Sequence, residues 1–185
     1  MKSKDFLKKQ LEETAQMIEW AIDLVPEDRL LEIAPHCNHP KASETMKRYF
    51  GLWSAYRLLF HLTHYEEFYV LPTMKHWLGE PHPNVDIISP NMEFEEETWK
   101  KELEKGVNLK ALLKRFHSVR SKQIDVLNSI QDKHWTEERV KTDFGMISAE
   151  FTVKKTIQHT LEHGNKILRN ALYWDRALKW LNEQE

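Results

Sequence analysis

Apolar residues recur at three- and four-residue steps in four long stretches of the chain, the spacing that lines one face of an α-helix. In the first, from about Asp5 to Val25, Phe6, Leu7, Leu11, Ala15, Ile18, Ile22 and Val25 alternate with Lys, Glu and Gln, predicting an amphipathic helix that Pro26 ends. Pro26 to Leu31 reads as a short helical turn with proline near its start. A loop follows through Pro35 and Pro40, with poor periodicity up to Arg48. The second stretch runs from Ser54, a candidate N-cap, to Leu78, with Gly79 as a stop. Its apolar residues, including Tyr56, Leu58, Leu59, Phe60, Leu62, Phe68, Val70 and Leu71, lie almost all round the axis, which predicts burial on several sides. Pro72 is placed to kink this helix or end it early.

Between Glu80 and Asn91, Pro81, Pro83 and Pro90 mark an exposed crossing loop. Glu93 to Leu103 reads as a short acidic helix, and Asn108 as the cap of a third long helix through Ile130. The core stripe of that helix is Leu112, Leu113, Phe116, Val119, Ile124, Leu127 and Ile130. Asp132 to Glu150 has no clear period and contains Gly145, so turns and a short extended piece are expected. The last helix starts after Thr152 and reaches about Leu172, with room to continue through Trp180. Four long helices on medium and long connections predict an all-α four-helix bundle with long crossover connections and short extra helices. A chain of 185 residues suits one core, so residues 1–185 are read as a single domain.

Composition narrows the function classes. With 41% apolar residues, 30% charged residues and five glycines, the chain can bury a sizeable core. A near balance of 27 basic and 29 acidic residues gives no global field for a phosphate backbone or an anionic membrane, so nucleic acid is not an expected partner. Cys37 is the lone cysteine, which excludes an internal disulfide framework and the cysteine-rich zinc classes. The N-terminal run Met1-Lys2-Ser3-Lys4-Asp5 leads straight into Phe6-Leu7-Lys8-Lys9 without a secretory core, and no stretch approaches the roughly 20 apolar residues of a membrane span. A cytoplasmic protein is the expectation.

The candidate chemistry lies in the ten histidines. His159 and His163 are four apart on the last helix and project from one face within reach of one ion. On the helical wheel the apolar arc holds Val153, Leu161, Gly164, Leu168 and Ala171, with His163 on its flank and His159 further round. His61 and His64 form a second pair, three apart, on the helix that is apolar nearly all round. An imidazole buried there needs a hydrogen-bond partner or a metal. For each pair alone a surface, structural or satisfied-core role is favoured over metal binding. Two pairs on separate helices are less easily dismissed, because facing helices are where bundle proteins build metal sites. The segment His159-Thr160-Leu161-Glu162-His163 also matches the H-x-x-E-H pattern of inverted zinc peptidases. That pattern is set aside, because those enzymes need a further acidic ligand well downstream and Glu162 points away from the bisector of the two histidines. Glu162, Glu66 and Glu67 are read as solvated or ion-paired face residues, with a supporting role behind a ligand imidazole as the alternative for Glu66 or Glu67.

Over most of its length the chain resembles the DinB-like superfamily, also described as the YfiT or bacillithiol S-transferase type. Four segments carry the resemblance. Leu24-Val25-Pro26-Glu27-Asp28-Arg29-Leu30 is similar to the family's leucine, proline, acidic turn after the first helix. Trp53-Ser54 precedes His61 at the interval of the family's W-S-x-x-x-x-x-x-H segment. Leu127-Asn128-Ser129-Ile130 ends the third helix before another acidic turn, and His159-x-x-x-His163 is followed by Ile167 as in the family's H-x-x-x-H-x-x-x-I ending. The resemblance implies a four-helix bundle holding one divalent transition metal ion, most often nickel or zinc, through His61, His159 and His163. It selects His61 over His64, which is left as an additional ligand, a supporting group or a core residue. One departure stands out: the family often has Arg-Gly-Gln after the final ligand, where this chain has Gly164-Asn165-Lys166.

Three neutral histidines leave a zinc-like ion one open position, as catalytic sites do. What the resemblance then implies is transfer of a low-molecular-weight thiol (bacillithiol, mycothiol or glutathione) to a small electrophilic substrate. The alternatives are a metal-dependent hydrolase and a non-catalytic metal- or ligand-binding stress protein, the last expected if a fourth protein ligand such as His64 closes the site. Trp53, Trp77, Trp135 and Trp174 are read as core, with a pocket wall above the ion as the alternative. The apolar surface of the second helix, together with the resemblance, makes a homodimer conceivable.

Overall fold

Each long periodic stretch becomes a helix, and four of them close the bundle. The computed structural model describes residues 4–81 and 83–183; the Met1–Ser3 part of the N-terminal run lies outside them. Helix α1 covers Lys4–Asp23, α3 Ala55–Tyr65, α6 Leu109–Ser129 and α8 Ala149–Asn182. Contacts run α1 to α8, α8 to α3, α3 to α6 and α6 to α1, so the chain order α1, α3, α6, α8 crosses the bundle diagonally twice. The connections from α1 to α3 and from α6 to α8 are therefore crossovers, as expected for long links. Ser54 and Asn108 cap α3 and α6, their side chains accepting from the backbone N–H of Arg57 and Ala111.

The short elements differ more from expectation. Glu44–Phe50 forms α2, capped by Ser43, within the segment read as loop up to Arg48. Seven residues are too few for periodicity to register. The second long helix does not stop at Pro72. It passes through a π-helical turn at Glu66–Val70, resumes as α4 at Leu71–Lys75, and ends through a 3-10 turn at Gly79, whose φ is +93°. Pro72 falls in the first turn after the π segment, where a missing N–H costs least. Helix α5 spans Met92–Glu104. The region read as turns holds a helical turn, α7 at Asp132–Trp135, and an antiparallel hairpin of β1 (Glu138–Thr142) and β2 (Gly145–Ser148) with Val140 opposite Ile147. Every residue of α3 is buried, whereas the later part of the second apolar stretch leaves Phe68 and Pro72 half-buried and Leu78 exposed.

The wheel of α8 needs correction. Leu161 is 42% exposed and Leu172 62% exposed, whereas Thr152, Thr156 and Thr160 are buried. Their hydroxyls donate to the carbonyls of Ser148, Thr152 and Thr156 one turn back, which satisfies them without water. Counting threonine as polar therefore hides the buried face. The true face continues through His163, Gly164 and Ile167. A Cβ on Gly164 would lie 2.6 Å from the Met17 methyl, so glycine there allows α1 and α8 their close approach.

Two of the three apolar clusters of the core lie on either side of a polar layer. One gathers Leu7, Leu11, Tyr69, Met74, Leu127 and Val153; the other Ile18, Ile22, Leu59, Phe60, Phe116 and Ile167. Between them lie Thr14, Glu66, Arg120, Gln123 and Thr160, all buried. Glu66 is thus not a face residue. Its Oε2 accepts from Arg120 Nε at 2.5 Å and Gln123 Nε2 at 3.0 Å, and its Oε1 accepts from Arg120 Nη2 at 2.5 Å. Arg120 also donates to the Leu11 carbonyl, to Thr14 Oγ1 and to Thr160 Oγ1. Glu67 does lie at the surface of this packing, half-buried and paired with Arg115.

Candidate metal centre

The metal candidates occupy the same level of the bundle as this polar layer, on its other side. His61 comes from the second turn of α3, and His159 and His163 from successive turns of α8. Nε2 of His159 lies 3.1 Å from Nε2 of His61 and 3.1 Å from Nε2 of His163. One ligand atom from each ring lies within 4.8 Å of the other two. Tetrahedral bonds of about 2.0–2.1 Å place ligand nitrogens about 3.3 Å apart, so the spacing is close to what one ion imposes.

Protonation favours the same conclusion. His61 Nδ1 sits 2.8 Å from Glu95 Oε2 and donates to it, which turns its Nε2 toward His159. Burial first, then the neighbouring His163 and His61 rings, pushes His159 down to about 2. His163 is lowered to about 3, again by burial first and then by His61 and Lys166. Both rings are therefore neutral near pH 7, the form that ligates. Protons alone satisfy this contact poorly, since at best one proton on His159 would be shared between two acceptors. Three lone pairs directed at one divalent cation fit it.

Glu95, on α5, is the residue that the sequence did not single out. It is 2% exposed, ties His61 in place, and pairs with Arg57 at 2.9 Å. Arg57 in turn lies between the rings of Trp53, Phe60 and Trp99, 4.9–5.4 Å from their centroids. Such a carboxylate–histidine pair fixes the ring's tautomer and raises its basicity toward a metal. Nothing in the run Glu93, Glu95, Glu96, Glu97 distinguishes the one glutamate that turns inward.

The remaining candidates go elsewhere. His64 does not join the cluster. Its ring is enclosed by Phe60, Phe68, Tyr69 and Phe94, with neither nitrogen hydrogen-bonded, and burial lowers it to about 4. Glu162 is exposed, accepts from Gln158 and pairs with Lys166, so it does not take the glutamate role of the H-x-x-E-H pattern. Trp77, Trp135 and Trp174 are core residues. Trp53 is the exception, its ring lying nearly parallel to His163 at 6.3 Å and 4.9 Å from His61. Tyr65 packs on the far side of His159 at 4.2 Å, with its hydroxyl turned away to the Ile87 carbonyl. Among the described residues, no helix is long and apolar enough to cross a membrane.

A family model described as the DinB superfamily matches residues 10–167, a span that contains all three clustered histidines and Glu95. No curated protein and no solved structure matches the chain.

Proposed function

The chain belongs to the DinB superfamily, and from that premise we propose that His61, His159 and His163 hold one divalent transition metal ion, nickel or zinc, in an enzyme that transfers a low-molecular-weight thiol to small electrophiles. The observation that carries this reading is the convergence of three imidazole nitrogens from two helices, 3.1 Å apart along two sides, with no carboxylate among them. A divalent ion there supplies Lewis acidity, which lowers the pKa of a thiol and keeps a thiolate available at neutral pH.

The chain's own residues do the rest. Glu95 holds the His61 proton on Nδ1 and turns Nε2 toward His159. Arg57 balances the Glu95 charge where both side chains are buried. The buried threonine face of α8 sets His159 and His163 on successive turns. Trp53 lies nearly parallel to the His163 ring at 6.3 Å. Among the described residues, the cluster contains no fourth histidine, cysteine or carboxylate. A site closed by protein ligands, which would favour a purely structural metal, therefore lacks its expected fourth donor, His64.

Elemental analysis of the purified protein beside His61→Ala, His159→Ala and His163→Ala tests the ligand set. About one equivalent of metal in the parent and strong depletion in each variant is the expected result. Full metal content in all three variants sinks the assignment. Conjugation of a generic electrophile with bacillithiol, mycothiol or glutathione, lost on chelation and restored on reloading, tests the reaction.

A further inference from the structure

Beside His163 the protein has an open cleft of about 420 Å³ between α2, the Gly51–Trp53 segment and α8. His163 and Lys166 of α8, Trp53, and Lys47 and Arg48 of α2 are among the residues that line it. The sole acidic side chain along its lining is Glu44, so three cations face one carboxylate. Glu44 is engaged by Lys47 at 2.8 Å. Lys166 reaches its nearest acid, Glu162, only at 3.6 Å.

The position of Lys166 is built by its surroundings. Its stem crosses Gly51, with Cδ 3.4 Å from where a Cβ on that residue would stand. Gly51 has φ +83°, a conformation that side-chain-bearing residues rarely adopt, so the backbone both turns and leaves room at this point. Charge on the metal side acts in the same direction. A divalent ion on three neutral imidazoles would keep its full charge, and the Glu95 carboxylate lies behind His61 and is already matched by Arg57. A ligand entering between this ion and the cationic rim meets positive charge at both ends and an indole face between them.

We infer that the cleft takes an anionic cosubstrate whose carboxylate rests on Arg48 and Lys166, with Lys47 behind them, while its other end reaches the three-histidine site past Trp53. In the thiol reading proposed above, on which this rests, the cosubstrate is an acid-bearing thiol rather than a neutral one. The rim fixes which thiol is accepted; the histidines fix where its sulfur goes.

Cobalt(II)-loaded protein provides a test that does not depend on turnover, because sulfur coordination to cobalt gives an intense near-ultraviolet band. The probes are N-acetylcysteine and N-acetylcysteine amide, which differ in one carboxylate. N-acetylcysteine is expected to bind about tenfold or more tightly than the amide, a margin that shrinks with added salt. Arg48→Met with Lys166→Met is expected to weaken N-acetylcysteine about tenfold and leave the amide unchanged, with cobalt content and melting temperature showing that fold and metal site survive. Equal affinities of the two thiols for the parent protein overturn the rim assignment and leave the thiol reading standing. Absence of the band with either thiol overturns the thiol reading itself, and the inference with it.

Discussion

Two buried polar groups flank the same stretch of α8 and have been resolved in opposite ways. At Thr160, Glu66 and Arg120 form a clasp in which every guanidinium nitrogen finds an oxygen, Gln123 Nε2 also donates to the carboxylate, and Thr160 Oγ1 accepts from Arg120. One residue earlier, His159 faces His61 and His163 across nitrogens that hydrogen bonds cannot jointly satisfy, and Nδ1 of both His159 and His163 has no partner. Charge pairing separates them: in the clasp the carboxylate and the guanidinium are matched within the protein, with Gln123 Oε1 left without a partner, whereas the cluster of buried His61 and His163 with half-buried His159 gathers three ring nitrogens that no counter-charge matches. A charge-matched buried network ties helices together, and unmatched ring nitrogens gathered at one point indicate a ligand.

The comparison is most severely tested by Arg120→Met. Removing the guanidinium leaves Glu66 charged and fully buried, a change that costs about 3–5 kcal/mol. For a chain of this size that corresponds to a melting temperature lower by roughly 10 °C. Glu66→Leu with Arg120→Met should lose less than the single variant, because neither charge then remains buried. Metal content of the folded fraction should hold near the parent value. A variant that melts normally but loses its metal would show that the clasp serves the site and would dissolve the distinction.

Glu95→Gln probes the other side, with a smaller effect of a different kind. The amide keeps the shape and can still meet His61, but it gives up the charge that raises the ring's basicity. Metal affinity, measured by competition with a coloured chelator, should fall about 10–100-fold. The melting temperature of the metal-free protein should move less than in Arg120→Met, because Arg57 keeps Glu96 at 3.3 Å and the rings of Trp53, Phe60 and Trp99. Unchanged affinity would reduce Glu95 to a packing residue.

Much of this arrangement was legible in the sequence, unevenly and for physical reasons. The long helices and their caps at Ser54 and Asn108 follow from periodicity and side-chain chemistry that act locally. The three histidines emerge where spacing on α8 joins the Trp53-Ser54 interval ahead of His61, a resemblance and not a property of any one helix. Glu66 was misplaced because a carboxylate within an apolar helix reads as surface until its partner, Arg120, arrives from 54 residues away. Glu95 was invisible for a related reason: four glutamates in five positions present equal claims, and only the docking of α5 on α3 chooses among them. Thr152, Thr156 and Thr160 misled the wheel because their hydroxyls bond to their own helix, so polarity in sequence did not mean exposure in space.

His64 offers the smallest and most discriminating change, since it is a buried imidazole that belongs to neither group. Its ring is saturated by nothing and shared with no other histidine nitrogen, only packed among aromatic rings. Burial is the main cause of its lowered pKa; Glu95 opposes the shift, and Arg115, His61 and Arg57 add to it. In the window between the ordinary 6.5 and the folded value of about 4, the unfolded chain holds a proton on His64 that the folded chain does not. Its contribution to stability is thus intact above pH 6.5 and declines as the pH falls through that window. In His64→Phe that one proton no longer distinguishes the two states. Denaturant unfolding of metal-free protein at pH 6 and pH 5 should show a slope against pH shallower than the parent's by up to about 1.4 kcal/mol per pH unit. His159 and His163 keep their own acid sensitivity in both proteins, so the difference isolates His64. Metal content of His64→Phe should match the parent, and a depleted variant would place His64 in the metal site after all.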